Sequence, residues 1–331
     1  MDVLVKGKTT VRHVARDDLD AIAGIDASAK GASRRAYFER RLAAAAREPE
    51  QHLQFAVTDP NAVVGYVFAR VLEGEFGHGT PALAIEAIGV RQDAQGLGIG
   101  RHLLDVLADD ARGLGIPEIR TQAAWNDHAL LRWLDANRFD LAANHVVDCA
   151  LPTASADVAI EEVEPSVHEI RYGDEDANRT PQLARDAILV SAMQRSELAQ
   201  VVRIDRAITG AARAGYIERL LAEALYDSAI RVSLTARIDG VIAGFLTARV
   251  DPGDYGRIDP VAVLDTIGVH PDFTHRRVGH ALLSQLFVNL AALRVERIET
   301  IVAPRDLGLL GFLYAAGFAP SRRLPFVRAL A

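Results

Sequence analysis

The chain has 331 residues, 50% of them hydrophobic and 24% charged, the profile of a soluble globular protein with room for two domains of ordinary size. Its formal net charge of −7 at pH 7 excludes the broad basic surface of a general nucleic-acid binder. No run of eighteen apolar residues and no signal-peptide core is found, so no membrane partner is expected and a cytoplasmic location is.

In chain order, Thr9 to Ala15 reads as a first strand, and Asp17 or Asp18 caps a helix carrying Leu19, Ile22 and Ile25. A second helix is predicted from Ser33 to Ala46, then two strands, Leu53 to Thr58 and Val63 to Val71, split by the turn Asp59-Pro60-Asn61. The stretch Ala84 to Leu107 reads as a buried strand, a turn with Gly96, Gly98 and Gly100, and an amphipathic helix with Leu103, Leu104 and Leu107 on one face. Glu118 to Ala123 returns as a strand, Asp127 to Asn137 as a helix, and Phe139 to Leu151 supplies the last strands of this unit. Alternating strands and helices predict an α/β domain with a mixed sheet. The single cysteine, Cys149, has no internal disulfide partner and reads as a small buried hydrophobe rather than a reactive thiol.

The second half repeats the first at a constant offset of 179 residues, Ile25 falling on Ile204, Gly65 on Gly244, Ile88-Gly89-Val90 on Ile267-Gly268-Val269 and Phe139 on Phe318. A constant register over so many features predicts one fold present twice, an intramolecular pseudo-dimer. The expected division is a first domain at 1–152, an acidic linker at 153–186 with a short strand at Val158 to Ile160, and a second domain at 187–331.

A glycine-rich turn opening a helix presents free backbone N–H groups to an anion, and missing side chains allow close approach of a pyrophosphate. Gln95-Gly96-Leu97-Gly98-Ile99-Gly100 fits the Q/R-x-x-G-x-G/A loop of the GCN5-related N-acetyltransferase (GNAT) family, which the two copies resemble over nearly the whole chain. Asn126 and Arg138-Phe139 approximate a later family motif. Glu86-Ala87-Ile88-Gly89-Val90, Phe76-Gly77 and the segment Asp127 to Leu134 look most like RimI-type enzymes. The resemblance implies two tandem GNAT folds, each a mixed, mostly antiparallel sheet flanked by helices, with acetyl-CoA (coenzyme A) as co-substrate. The implied cofactor-binding residues are Ile88, Gly89, Val90, Gln95, Gly96, Leu97, Gly98, Ile99, Gly100, Arg101 and Asn126, the Val90 N–H polarising the thioester oxygen. In the second copy the loop becomes Thr274, His275, Arg277 and Gly279 in place of Gln95, Gly96, Gly98 and Gly100. A long side chain at Arg277 is expected to obstruct the pyrophosphate and to conflict with the backbone angles of the turn; the other reading is that its charge, with His275 and Arg276, attracts an anion from the side.

Acetyl transfer to an amine requires removal of a proton from a group whose free pKa is about 10.4. Glu86 stands at the family's place for a general base, on the face of Ile88 and Val90 by simple alternation. Its other reading is a strand carboxylate held by a salt bridge. The family's usual tyrosine acid falls on Leu134. Asp127 is the candidate substitute, with a helix N-cap as its alternative, and its counterpart Asp306 suits the cap. The resemblance places Arg34, Tyr37, Glu75, Phe76 and Trp125 around the acceptor. Tyr37 and Trp125 otherwise read as core residues, and Arg34 as a solvated charge. The histidine spacing suggests no metal site. These readings converge on an N-acetyltransferase active in its first domain, acting on a primary amine of unspecified identity by direct attack in a ternary complex. The alternatives are a non-catalytic coenzyme-A-binding scaffold and a tandem enzyme with both domains active.

Overall fold

The computed structural model describes residues 9–60, 62–72, 81–151, 188–211, 213–226, 231–251 and 253–330. The predicted linker at 153–186, with its strand at Val158 to Ile160, lies outside the described residues.

The first half runs β1 (Thr10–His13), α1 (Leu19–Lys30), α2 (Arg35–Arg47), β2 (His52–Asp59), β3 (Ala62–Leu72), β4 (Ala82–Val90), α3 (Ile99–Gly113), β5 (Glu118–Ala124), α4 (His128–Ala136), β6 (Asp140–Leu141) and β7 (His145–Ala150). The second half repeats this as β8 (Leu189–Ala192), α5 (Leu198–Thr209), α6 (Ala214–Tyr226), β9 (Arg231–Ile238), β10 (Val241–Asp251), β11 (Val261–Val269), α7 (Val278–Ala292), β12 (Arg297–Val302), α8 (Leu307–Ala315), β13 (Ala319–Pro320) and β14 (Arg323–Ala329). The elements form two mixed seven-stranded sheets among the described residues, as the duplication predicts.

The sheets are completed by exchange. The first has the order β1-β2-β3-β4-β5-β14-β6 and the second β13-β7-β12-β11-β10-β9-β8. Antiparallel β14, from the end of the chain, pairs with β5 from Arg323 opposite Ala124 to Ala329 opposite Glu118. In return β7 pairs with β12 from Ala150 opposite Arg297 to His145 opposite Val302. The expectation that Phe139 to Leu151 supplies the last strands of the first unit is therefore corrected. Only β6 stays at home, while β7 buries Val147 and the following Leu151 in the core of the second half. The two strands are equivalent under the repeat, so each sheet accepts the other's copy with the same inward pattern. Cys149 lies part-buried in β7, where burial raises its thiol pKa.

Each sheet carries helices on both faces. In the first half α3 and α4 bury Leu103, Leu104, Leu107 and Leu134 against Leu83, Ile85 and Ile119. On the other face α1 and α2 bury Ile22, Ile25, Tyr37 and Phe38 against Tyr66, Phe68 and Ala87. Gly65 faces α3 so closely that a Cβ there stands 2.8 Å from the Ile99 side chain, and Gly244 meets Val278 at the same 2.8 Å in the second half. The parallel pair β4–β5 is bonded only at Leu83–Ile119 and Ala84–Arg120, after which the strands part.

Because each core contains a strand from the other half, the halves are expected to melt together. Scanning calorimetry is expected to give one transition, lost simultaneously from both sheets, whereas two resolved transitions contradict the coupling.

Candidate active site

The strand–turn–helix unit occupies β4 to α3. Gly96 and Gly98 adopt left-handed backbone angles, φ +78° and +83°, with nothing within 4 Å of where a Cβ would stand. Gly98 is the N-cap of α3 and offers its first amides no side-chain cap. The Gln95 side chain folds back and donates to the Val90 carbonyl at 3.1 Å, bracing the turn on the strand end. Gly100 is required by its neighbour, since a Cβ there would stand 3.1 Å from Trp133 Nε1. Leu97 is exposed, Arg101 makes a long 3.9 Å pair with Asp105, and Asn126 is exposed just before α4. Open space, free amides and the parting of β4 from β5 fit a pyrophosphate with an extended arm entering the sheet.

Ile88, Gly89 and Val90 form the end of β4. Gly89 is glycine because the Tyr66 ring lies on it, 2.6 Å from a would-be Cβ. The Tyr66 hydroxyl donates to Asp26 Oδ1 at 2.8 Å. The second half repeats this contact with Phe245 on Gly268, without the hydroxyl.

Glu86 departs from simple alternation. Phe68 pairs with Ala87 and Ala69 with Ile85, so Glu86 is the extra residue of a β-bulge. The bulge turns it away from the face of Ile88 and Val90, toward α2. There it is 2% exposed, 2.9 Å from Arg70 Nε through Oε1 and 3.1 Å from Arg41 Nε through Oε2. Burial raises its carboxyl pKa above the ordinary range, with Arg41 and Arg70 opposing and Asp254 reinforcing. The second half has the same device, with Asp265 the bulged residue and Arg249 and Arg231 its ion-pair partners.

The acceptor-side residues are brought together, but beneath a turn of the second half. Arg34, expected as a wall or a solvated charge, is buried. Its Nε donates to Asp26 Oδ2 at 2.7 Å, and its Nη1 donates to the Gly253 carbonyl. Tyr37 is core-buried, and its hydroxyl donates to Asp254 Oδ1 at 3.0 Å. Arg41 Nη2 also pairs with Asp254. Trp125 is corrected from core to surface, being 55% exposed. Glu75 and Phe76 lie outside the described residues. Asp127 accepts from Leu130 N at 3.1 Å as the N-cap of α4, and Asp306 caps α8 through Leu309 N in the same way. Leu134, at the place of the family tyrosine, is fully buried.

One expectation about the second copy is overturned. His275 and Arg277 take φ +63° and +62°, so the turn keeps its left-handed shape without glycine. What differs is the side chains now standing where Gly96 and Gly98 leave space.

Sequence reasoning missed Arg41, Arg70, Asp254 and Tyr255, which the fold gathers around Glu86. For Arg70 the signal was the duplication, since Arg70 and Arg249 stand 179 residues apart, as Glu86 and Asp265 do, whereas Arg41 falls on Leu220 and carries no such signal. His52 borders this cluster. Burial, then the charges of Arg41, Arg70 and Arg47, lower its pKa from 6.5 to about 3. The folded protein thus binds this proton less readily than the unfolded chain. The stability it contributes is complete above pH 6.5 and is lost as pH falls toward 3, by at most about 1.4 kcal/mol per pH unit. His52→Gln is expected to flatten the pH dependence of the melting temperature between pH 6 and 4, and an unchanged slope contradicts this assignment.

A profile of the Acetyltransferase (GNAT) family matches residues 19–133 and 200–318, more than half of the chain and once in each half. Curated protein sequences give no match. Solved structures with the same fold include a tandem GNAT protein from the clavulanic acid biosynthesis pathway, 16% identical, with TM-score 0.63, covering 98% of this chain and 99% of that one. A GNAT from Sphaerobacter thermophilus is 16% identical with TM-score 0.58, covering 97% and 96%. A glucosamine N-acetyltransferase region of a fungal multi-domain β-N-acetylglucosaminidase is 13% identical with TM-score 0.63, covering 98% of this chain and 38% of that one. At such identities these likenesses are of fold. The chain belongs to the GNAT acetyltransferase family, as a tandem member with one acyltransferase fold in each half.

Proposed function

We propose that the protein is an acetyl-CoA-dependent N-acetyltransferase whose first half binds acetyl-CoA and whose second half serves as structural partner. The observation that carries this reading is the contrast between the two turns. Gly96 and Gly98 leave open space before free α3 amides, while His275 and Arg277 put side chains into the same backbone shape. The RimI-type pattern supports a primary amine as acceptor. The amine attacks the acetyl carbon directly in a ternary complex, a C–N bond replaces the C–S bond, and the coenzyme A thiolate takes a proton. Ile88, Gly89, Val90 and Asn126 border the acetyl arm, with the Val90 N–H toward the thioester oxygen. Gln95 to Arg101 hold the pyrophosphate, and Trp125 borders the acceptor.

We assign Asp127 to the α4 cap and Glu86 to the charge cluster rather than to proton transfer. The second half keeps the same bulged acid and arginine beside a filled turn, which is the behaviour of an interface residue. The amine's proton then leaves through solvent, and a thiolate of pKa about 8.5 departs without a dedicated acid.

Calorimetry is expected to find one equivalent of bound acetyl-CoA, with Gly98→Arg weakening binding at least tenfold. Two equal sites, or full binding by Gly98→Arg, contradict the reading. Glu86→Gln removes the carboxylate shared by the part-buried Arg70 and Arg41, of which Arg41 keeps Asp254, and is expected to cost about 2 kcal/mol of stability. It should lower kcat less than tenfold. A hundredfold loss of kcat at unchanged stability instead makes Glu86 the base.

A further inference from the structure

The second half contributes more than a strand to the first. Its turn Gly253–Arg257 lies across β4 and β5 on the face of α1 and α2, opposite α3 and its glycine turn. Contacts to Gly253, Asp254, Tyr255 and Gly256 hold it there. Arg34 donates to the Gly253 carbonyl, and Gly253 sits so close to α2 that a Cβ would meet the Tyr37 ring at 2.5 Å. Asp254 accepts from Tyr37 at 3.0 Å and pairs with Arg41. Arg323, on the exchanged strand, donates to the Tyr255 carbonyl at 3.1 Å, with its guanidinium 5.7 Å from the Tyr255 ring centre. Lys30 packs under Gly256, where a Cβ would stand 2.7 Å from Cε, and its ammonium lies 3.6 Å from Asp127. Beyond Tyr255 lies a cavity of about 230 Å³ between the two sheets, which Arg70 and Gln122 also line.

We propose that this turn is the acceptor-side wall of the first half's active site, supplied in trans by the second half. It screens the thioester from bulk water and leaves beside exposed Trp125 one approach, by which a slim amine enters and its proton leaves. The inference rests on acetyl-CoA binding in the first half. The wall follows from packing: Arg34 and Tyr37, placed at the acceptor by family resemblance, are buried beneath the turn, which also packs on β4 and puts Tyr255 in the lining of the cavity. In the reaction that the wall suppresses, a water oxygen bonds to the acetyl carbon and the C–S bond breaks. The thiolate takes one proton from that water, leaving acetate, free thiol and a proton released to solvent.

The test uses the full chain with acetyl-CoA and measures thiol release with water as the only acceptor, beside the affinity for acetyl-CoA. Tyr255→Ala is expected to raise hydrolysis at least fivefold and Lys30→Ala about twofold, each with acetyl-CoA affinity within twofold of the parent. With n-butylamine and tert-butylamine as acceptors, the parent's preference for the slim amine should fall toward one in Tyr255→Ala. Should Tyr255→Ala fail to fold, Lys30→Ala alone decides, through hydrolysis. Unchanged hydrolysis in a folded variant with parental affinity overturns the wall. A parent chain that binds no acetyl-CoA overturns the functional reading, and the wall with it.

Discussion

The exchange of one strand between the sheets is the constraint on which the rest of the molecule depends. β14 stands between β5 and β6, so without it β5 presents an unpaired edge and β6 has no neighbour. Unpaired strand edges carry rows of unsatisfied amides and carbonyls and invite association. The reciprocal placement of β7 beside β12 makes the arrangement mutual. Neither sheet is whole unless the other half is folded beside it. The halves consequently meet face to face in one orientation, and that orientation brings the turn at Gly253–Arg257 onto β4.

Only in such an enforced contact is the buried charge cluster sustainable. Arg41 lies between Glu86 and Asp254, Glu86 lies between Arg41 and Arg70, and Asp265 lies beside Arg249 and Arg231. Taking these groups out of water costs several kcal/mol per ion, and the alternation of sign returns much of that cost. Two apolar faces can slide past each other. A guanidinium held between two carboxylates contributed by different halves permits far less movement. The cluster's main contribution is therefore to the register of the halves, with the position of the Asp254 turn as its consequence.

Much of this was legible in the residues. The order of helices and strands, the glycine turn and the fold of each half follow from apolar periodicity, from Gly96, Gly98 and Gly100, and from the 179-residue repeat. Three features were not legible, each for a physical reason. The exchange is invisible because β7 and β14 are copies, so their alternation suits either sheet equally. The bulge at Glu86 breaks the two-residue period at one point, so counting along β4 puts the carboxylate on the wrong face. Arg277 was expected to resist the left-handed turn, but φ +62° costs a non-glycine residue only about 1 kcal/mol, which the surrounding fold imposes. Trp125 shows the converse limit, because an aromatic residue between a strand and a helix cap can as well face outward.

On the reading proposed here, the two copies differ in what each still needs to do for the other. The second half has filled its own turn with His275 and Arg277, positions whose space matters only if a cofactor is to enter. It retains the parts the first half uses: β14 to complete the sheet, Asp254 to engage Tyr37 and Arg41, and Tyr255 to stand over β4. The first half keeps open glycines and lends β7 in return. A fold present twice can lose its chemistry in one copy without losing its shape, because the backbone of the turn survives the change of side chains. The elements that serve the neighbouring half cannot be lost so cheaply, since both cores are built on them.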